Sequence, residues 1–415
     1  MLYTKIFTKS KKDIPGDEVS YSAQLLSQAG YVQKEMAGVY AYLPLGKKVL
    51  DKIIQIIREE MEFIGGQEIL LGALQNPEVW GATGRWDDEV IDVWFKTKLK
   101  NGTELGLAPT HEEPLTNLMK RHIQSYKDLP VYAFQFQNKF RNELRARGGI
   151  IRARDFIMKD LYSFNRNIAG LDAFYEEAIK AYHRIFDRLG IGEKTYLTFA
   201  DGGAFSKYSH EFQTVCAAGE DTIYLDRDKR LAVNKEVFND EVLLDLGLDR
   251  SELEEVSAIE VGNIFKLGTK FSTGLGLLYT DENNEKKPVV MGSYGISPCR
   301  SMGTIVEVLA DERGIVWPES VTPYKCHLVG LNMDNTIVCK KAYEVYQLLV
   351  REKVEVLFDD RLEVSAGGKF AEADLLGTPY RLVVSEKTGD KIELKRRTEQ
   401  DTCLLSLEEL VSKLR

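Results

Sequence analysis

The sequence predicts an α+β domain built on a mainly antiparallel sheet, followed by a smaller α/β domain. Residues 131–137 and 156–164 alternate apolar and polar side chains, as strands do, and an Arg- and Gly-rich loop joins them, which is typical of an antiparallel hairpin. From about residue 324, strand and helix patterns begin to alternate. We therefore divide the chain into residues 1–320 and 321–415.

The bulk composition is that of an ordinary globular protein. Of the 415 residues, 44% are hydrophobic and 29% are charged, and this length allows two to three domains. The net charge of −9 excludes a general electrostatic attraction to nucleic acid. Any RNA contact must therefore come from local basic patches.

The sequence shows neither a targeting segment nor a metal-binding cysteine pattern. Its first residues lack the apolar core of a signal peptide, and no apolar run reaches the ~18 residues that span a bilayer. The five cysteines include no Cys-x-x-Cys pair, so we expect no zinc site. Isolated thiols fit a reducing compartment. We expect a cytoplasmic protein without membrane contacts.

The elements of the first domain follow from spacing along the chain. Apolar residues recur at helical spacing over residues 45–63, and two glycines then end the helix. A short strand is expected at residues 67–71. After the hairpin, a helix is expected from residue 165 to about 189, with one apolar face in the core. A charged segment with an apolar centre, at about 227–256, is expected to form a small helical insert.

The elements of the second domain alternate in type, as in an α/β fold. A linker with two prolines precedes them, at residues 317–323. The expected strands are residues 326–331, 354–358 and 380–384, and the expected helices are residues 336–350 and 370–376.

Three segments carry a family resemblance. The first is Leu-Ala-Pro-Thr-His-Glu-Glu at residues 107–113, and the second is Phe-Arg-Asn-Glu at residues 140–143, followed by Arg152 and Phe156. The third is Gly-Ser-Tyr-Gly-Ile-Ser-Pro-Cys-Arg at residues 292–300. In this order they resemble the signature segments of class II aminoacyl-tRNA synthetases. Their residues are similar to those of the bacterial-type prolyl enzymes.

The resemblance implies a fold and an assembly. The first domain would be the class II catalytic domain, and residues 321–415 would be a Rossmann-like anticodon-binding domain. The helix and strand at residues 45–71 resemble the motif through which these enzymes form homodimers, although Gly72 stands where the family usually has proline.

The resemblance also implies the reaction, in which L-proline is activated with ATP and Mg²⁺ and transferred to the 3′ end of tRNA(Pro). Adenylation builds charge on a phosphate, which arginine and Mg²⁺ stabilise. By resemblance, the catalytic residues Arg141 and Arg300 contact the nucleotide from its two sides, and Phe156 stacks on adenine. A lone Phe-Arg-x-Glu segment would be explained by a structural ion pair, but three segments in order favour the ATP site. The other residues expected to bind ATP are Glu143, either at adenine or beside the loop arginines, and Gln213 and Thr269.

Proline binding is assigned by resemblance to four residues. Thr110 and Glu112 would grip the amine, Arg141 would serve the carboxylate side, and His210, in Ser-His-Glu-Phe, would contact the substrate. Without the resemblance, Thr110 would be interpreted as the N-cap of a helix, and His210 as a histidine packed in the core. Residues 206–208 depart from the two glycines usual in the family.

Contacts with tRNA are expected in both domains. Arg145 and Arg147 resemble residues at the acceptor stem, and Arg361 and Lys395 are candidates for the anticodon. A basic run such as that around Lys395 is otherwise a solvated surface. The prolyl enzymes often carry a large editing domain between the second and third motifs, but only 79 residues lie between Phe212 and Gly292. We therefore expect no cis-editing of alanyl-tRNA.

Three alternatives remain open at this point. A threonine or glycine synthetase is disfavoured by the Thr-x-Glu loop, and threonine enzymes also use zinc ligands that this chain lacks. A noncatalytic paralogue is disfavoured by the complete set of Arg141, Phe156 and Arg300. An adenylating enzyme with another acceptor is disfavoured by the C-terminal domain.

Overall fold

The structure, a computed structural model, describes residues 1–11, 18, 20–144, 146, 148–202 and 208–415. Contacts between Cα atoms divide the chain into two units that are not continuous in sequence. One unit contains Met1–Glu35, Tyr40–Ile53 and Ile305–Arg415, and the other contains Met36–Val39 and Ile54–Thr304. The domain boundary at residue 320 stays a prediction.

The helices expected at residues 45–63, 165–189 and 336–350 are present with bounds close to those predicted, and the one expected at residues 370–376 begins earlier, at Ala366. The two longest each bury one apolar face, as helices against a sheet do. The helices are α1 (Tyr21–Gln28), α2 (Pro44–Phe63), α3 (Pro77–Gly81), α4 (Glu112–Met119), α5 (Ile168–Arg188), α6 (Asp240–Leu246), α7 (Lys270–Leu275), α8 (Pro298–Leu309), α9 (Thr336–Arg351), α10 (Ala366–Leu376) and α11 (Leu407–Leu414).

The strands belong to one large sheet, one C-terminal sheet and several short pairings. They are β1 (Val32–Met36), β2 (Val39–Tyr42), β3 (Gln67–Glu68), β4 (Leu74–Gln75), β5 (Phe95–Lys98), β6 (Glu104–Leu107), β7 (Val131–Phe140), β8 (Asp155–Asn165), β9 (Thr195–Asp201), β10 (Tyr208–Val215), β11 (Asp221–Asp226), β12 (Leu231–Asn234), β13 (Glu254–Gly268), β14 (Leu278–Thr280), β15 (Lys286–Pro288), β16 (Val290–Ile296), β17 (Cys326–Gly330), β18 (Val356–Asp359), β19 (Tyr380–Val384), β20 (Ile392–Arg396) and β21 (Thr402–Leu405).

The large sheet is mainly antiparallel, as predicted. Its strand order is β10-β9-β12-β11-β13-β16-β8-β7-β3, and β10 also pairs with β13. Only the β3–β7 and β9–β12 pairs among these described strands are parallel. The predicted hairpin is confirmed, since β7 and β8 pair antiparallel from Val131 opposite Phe164 to Phe140 opposite Asp155. The strand expected at residues 67–71 is shorter, at Gln67–Glu68.

Helix α5 covers one face of this sheet and leaves the other face for the site. The apolar face of α5 is buried, as expected, and Tyr182 of this helix stacks near Phe212 of β10. Because side chains alternate along a strand, residues adjacent to Phe212 in sequence point to the opposite face. We call that opposite face the open face of the sheet.

The segment at residues 227–256 contains the expected small helix, α6. It also contains β12, which pairs with β9 and β11 in the large sheet. The interpretation as a purely helical insert was therefore incomplete, because part of the segment extends the sheet.

The C-terminal sheet has the order β18-β17-β19-β20-β21. Its first three strands are parallel and connected through α9 and α10, which confirms the predicted α/β alternation. The last two strands, β20 and β21, are antiparallel. A buried apolar cluster that includes Leu328, Val345 and Leu410 joins the sheet to its helices.

Lys159 offers the first testable prediction. It is fully buried against α5, and its Nζ donates to Tyr182 Oη at 2.7 Å and to the carbonyl of Tyr294 at 2.9 Å. Burial holds the pKa of Lys159 well below its usual range. Where the unfolded chain carries a proton on Lys159 and the folded chain does not, folding must release that proton, and the release costs free energy. This cost shrinks as the pH rises towards the ordinary pKa of lysine, so the stability of the protein should rise with pH over that range.

We expect Lys159→Met to remove the desolvation cost of the amine but to leave Tyr182 Oη and the Tyr294 carbonyl without this donor, so the free energy of unfolding at pH 7 should change by no more than about 1 kcal/mol. Chemical denaturation at several pH values would measure this, and the rise of stability with pH should be shallower in the variant. Lys180→Met, at an exposed position on α5, is the control. A difference in stability between Lys159→Met and wild type that stays constant with pH would contradict the argument.

Candidate active site

The two strands of the hairpin bring Arg141 and Phe156 together. Arg141 directly follows β7, and Phe156 lies near the start of β8. The guanidinium carbon of Arg141 lies 5.4 Å from the centroid of the Phe156 ring. Burial, and then the positive charge of Arg300, lower the pKa of Arg141. A half-buried arginine beside a second arginine is an arrangement that favours a bound anion.

Arg300, in the first turn of α8, is held in a fixed orientation. Its Nε donates to the carbonyl of Ile151 at 2.9 Å, and its Nη1 donates to Glu260 Oε2 and to the Glu260 carbonyl, both at 2.9 Å. The structure thus places Arg141, Phe156 and Arg300 in one region, as the sequence analysis expected.

Thr110 and Glu112 lie next to Arg141. Arg141 Nε donates to the carbonyl of Pro109 at 3.4 Å, and Thr110 Oγ1 donates to Glu112 Oε2 at 2.7 Å. The interpretation of Thr110 as a helix cap is wrong, because α4 begins at Glu112 and its N-cap residue is His111. Glu112 is buried and sits beside Arg141, so the site offers an anion and a cation side by side.

Carboxylates and an amide line the open face near Arg300. Gln213 Nε2 donates to Glu211 Oε2 at 2.9 Å and to Asp221 Oδ2 at 2.7 Å, while its own Oε1 has no partner among the described residues. Burial, and then the charge of Glu260, raise the pKa of Glu211. This concentration of negative charge next to an arginine is suited to a cation carried by a phosphate ligand.

His210 points away from this region. Its Nδ1 lies 2.9 Å from Tyr175 Oη on α5, and its ring packs edge-on against Phe199 at 4.5 Å. Burial lowers its pKa to about 4, so the ring is neutral at pH 7. The alternation of β10 puts Glu211 on the open face and His210 on the face covered by α5. The structure therefore does not bring His210 to the expected proline site.

The remaining predicted nucleotide residues occupy different positions. Glu143 accepts from Arg152 Nε at 3.1 Å and from Nη2 at 2.8 Å, which corresponds to the loop-arginine alternative rather than a free adenine contact. Thr269 precedes α7 as its N-cap residue and makes no side-chain capping bond. No described contact connects Thr269 with Arg141 or Phe156.

The residues expected to contact tRNA divide into three groups. Arg145 and Arg147 lie outside the described residues. Arg361 is fully engaged, because its Nε and Nη2 donate to Asp359 at 2.8 and 2.6 Å and its Nη1 lies 2.6 Å from Glu372 Oε2. Lys395 is half-buried on β20 and has no ion pair recorded among the described residues.

A buried charged layer below the site was missed by sequence reasoning. Lys139 Nζ donates to Asp160 Oδ1 at 2.7 Å, and the two side chains are 0% and 4% exposed. His111 Nδ1 lies 3.9 Å from Asp160 Oδ2, and its Nε2 lies 3.1 Å from the carbonyl of Gly72. In the β7–β8 hairpin, the alternation of side chains places Lys139 and Asp160 on the same face of the sheet. Their pairing could therefore have been inferred from the sequence. Arg85, which pairs with Glu112, was also missed, since nothing in its local sequence indicates that partner.

Two family models match the chain. A model described as the tRNA synthetase class II core domain (G, H, P, S and T) matches residues 95–309, and an anticodon-binding domain matches residues 325–415. Proline–tRNA ligase of Rickettsia bellii is 36% identical over 413 residues, covering 96% of this chain and 94% of that protein. The Ehrlichia chaffeensis enzyme of the same name is 36% identical over 431 residues and covers 100% of both chains.

Other relatives differ in length or are known as structures. Proline–tRNA ligase of Macrococcus caseolyticus is 30% identical over 560 residues, an alignment longer than this chain, and covers 98% of that protein. The crystal structure of prolyl-tRNA synthetase from Cryptosporidium parvum complexed with L-proline and AMP superposes with a TM-score of 0.76. It is 16% identical and covers 95% of this chain and 73% of that chain, which shows a shared fold.

Proposed function

The chain belongs to the proline–tRNA ligase family of class II aminoacyl-tRNA synthetases, and we propose that it performs the family reaction with the residues on the open face of its large sheet. It is an ATP-dependent ligase that joins L-proline to tRNA. The observation that supports this site assignment is that Arg141 lies close to Phe156, to Arg300 and to the loop that carries Thr110 and Glu112.

Recognition of proline would use the pair of opposite charges. The secondary ammonium of proline binds the buried carboxylate of Glu112, which Thr110 orients through its hydrogen bond. The proline carboxylate then lies towards Arg141. Because these groups are fixed before the substrate arrives, they hold the attacking oxygen near the nucleotide and lower the entropic cost of the reaction.

Adenylation joins a proline carboxylate oxygen to the α-phosphorus of ATP while the bond to pyrophosphate breaks. Arg141 and Arg300 meet the charge that develops on the phosphate, and Phe156 supplies an aromatic face for adenine. The terminal ribose hydroxyl of tRNA then attacks the activated carbonyl, and AMP leaves. Arg145, Arg147 and Lys395 remain our candidates for RNA contacts, whereas the ion pairs of Arg361 favour a structural role.

Mg²⁺ fits the carboxylates beside Arg300. Within the described part of the chain, no group of three or more His, Cys, Asp or Glu side chains forms a metal-holding arrangement. Mg²⁺ commonly binds one or two carboxylates together with substrate phosphates, and Glu211 and Glu260 would supply those carboxylates. When bound, the ion supplies charge neutralisation to the triphosphate.

Assembly as a homodimer, and action in the cytoplasm, complete the proposal. The end of α2 and the segment after it expose large apolar side chains, with Phe63 77%, Leu70 73% and Leu74 60% exposed. Such a patch is typical of a surface that another subunit covers. No helix among the described residues has the length and apolarity to traverse a bilayer.

Amino-acid-dependent ATP–pyrophosphate exchange tests the proposal directly. Proline alone among the common amino acids should support strong exchange, and charging of tRNA(Pro) should follow. Exchange with threonine or glycine instead of proline would identify a different synthetase. Folded protein without any exchange would favour the noncatalytic paralogue.

Editing gives a separate prediction. The short span between β10 and β16 leads us to expect that purified protein does not hydrolyse alanyl-tRNA(Pro) faster than the buffer does. Deacylation of radiolabelled alanyl-tRNA(Pro) would measure this, with the longer Macrococcus caseolyticus relative assayed beside it. Rapid hydrolysis by this chain would contradict the expectation.

A further inference from the structure

Arg85 links two neighbouring carboxylates at the proposed proline site. Its Nη1 lies 3.3 Å from Glu112 Oε2 and 3.0 and 3.1 Å from the two oxygens of Glu113. The side chains of Arg85, Glu112 and Glu113 are 16%, 11% and 0% exposed, so the three charges interact in a largely dry environment. Arg85 lies outside residues 95–309, the part of the chain that matches the catalytic core of the family.

Arg85 itself is held from several sides. Its guanidinium carbon lies 5.4 Å from the Trp80 ring and 5.2 Å from the Phe271 ring. Trp94 Nε1 donates to the carbonyl of Arg85 at 3.0 Å, which fixes its backbone. These contacts leave the arginine few other orientations, so its position is set before any substrate binds.

The two oxygens of Glu112 are unequally occupied. Oε2 accepts from Thr110 Oγ1 at 2.7 Å and from Arg85 at 3.3 Å, whereas among the described residues Oε1 has only a long contact of 3.4 Å with Tyr162 Oη. A carboxylate with one oxygen fixed in this way presents the other to an incoming donor. Glu113, in turn, is anchored by Thr83 Oγ1 at 2.8 Å and balances the charge of Arg85.

We infer that Arg85 is a positioning residue for proline, which holds Glu112 Oε2 so that Oε1 faces the secondary ammonium of the substrate. The inference rests on the proposed function, since it assumes that Glu112 binds the amine. The Arg85–Glu113 pair is neutral as a unit, so the charge of Glu112 remains available to the substrate. Loss of Arg85 would free Glu112 to turn and would leave two buried carboxylates without their cation.

The test compares Arg85→Met, Arg85→Lys and the double variant Arg85→Met/Glu113→Gln in proline-dependent ATP–pyrophosphate exchange. For Arg85→Met we expect the KM for proline to rise about 10- to 100-fold, while the KM for ATP stays within about 3-fold. Lysine reaches one carboxylate at a time, so Arg85→Lys should fall between wild type and Arg85→Met. Calorimetric titration of proline without ATP should show the same order of affinity.

The double variant separates positioning from simple charge balance. If Arg85 served only to neutralise Glu113, then removing both charges would restore the KM for proline, and that result would overturn the inference. An unchanged KM for proline in Arg85→Met, or an equal rise in the KM for ATP, would also overturn it. If Arg85→Met does not fold, the same comparison of the KM for proline with the KM for ATP is made in Arg85→Lys. Absence of exchange in the wild type would instead contradict the proposed function.

Discussion

Arg141→Ala should reduce proline-dependent ATP–pyrophosphate exchange by about 10²- to 10³-fold or more, because it removes a preorganised cation from the half-buried position at which we propose that phosphate charge develops. The effect should lower kcat and kcat/KM by similar factors, since the arginine stabilises the transition state more than either ground state. Steady-state exchange with proline and ATP varied separately measures it.

The control for this variant is Arg227→Ala, which removes an exposed arginine paired only at the surface with Glu254 and contacting Tyr196. It should leave exchange within about 2-fold of wild type. Thermal unfolding of both variants must be compared, because Arg141 is held next to Phe156. If Arg141→Ala is folded and exchanges at a rate near that of wild type, the site is placed incorrectly.

Lys139→Met should destabilise the fold by about 3–5 kcal/mol, because it leaves the carboxylate of Asp160 buried without its cation. Gln135 Nε2, 3.0 Å from Asp160 Oδ2, would be the remaining close donor. Urea unfolding at pH 7 measures the change. Lys266→Met, which removes a half-exposed lysine paired with Asp172, should cost less than about 1 kcal/mol.

The loss in free energy of unfolding caused by Lys139→Met should depend on pH, because a histidine lies beside the ion pair. His111 has its pKa lowered to about 4 by burial and then by the charge of Lys139. Removing the lysine raises this pKa, so the folded variant takes up a proton beside Asp160 as the pH falls and gains stability relative to wild type. The destabilisation should therefore be smaller at pH 5 than at pH 8. Equal costs at both values would contradict this coupling.

The double variant Lys139→Met/Asp160→Asn shows how much of the lost stability comes from the unpaired charge of Asp160. Since both charges are then absent, most of the lost stability should return. Failure to recover would mean that Lys139 contributes mainly through packing of its aliphatic chain rather than through its ion pair.

Local patterns predicted the parts of the fold that short-range physics determines. The hairpin and α5 were predicted because alternation and helical spacing are visible within a few residues. Arg141 and Phe156 could be placed together because a hairpin brings residues near its two ends into register. The strand at residues 67–71 was overestimated, because an apolar run does not show how many residues find a pairing partner.

The positions of several site residues depend on the order of the strands rather than on local sequence, and the assignment of His210 to proline stays a prediction. His210 and Glu211 stand side by side in one motif, but a strand sends neighbours to opposite faces, and only the position of α5 shows which face is covered. Arg85 and Glu260 were missed because their partners, Glu112 and Arg300, lie 27 and 40 positions away. Sequence patterns contain no measure of such distant contacts, which depend on how the strands are ordered.

The buried layer of Lys139, Asp160 and His111 connects the proposed proline site with the proposed nucleotide site. His111 stands between Thr110 and Glu112, which we propose to contact proline, while Lys139 and Asp160 belong to β7 and β8, the two strands beside the proposed nucleotide residues Arg141 and Phe156. Attempts to evolve a new amino-acid preference by randomising residues 110–112 would therefore disturb ATP use as well. Libraries that keep this layer fixed and vary only the wall of the pocket should yield more active catalysts.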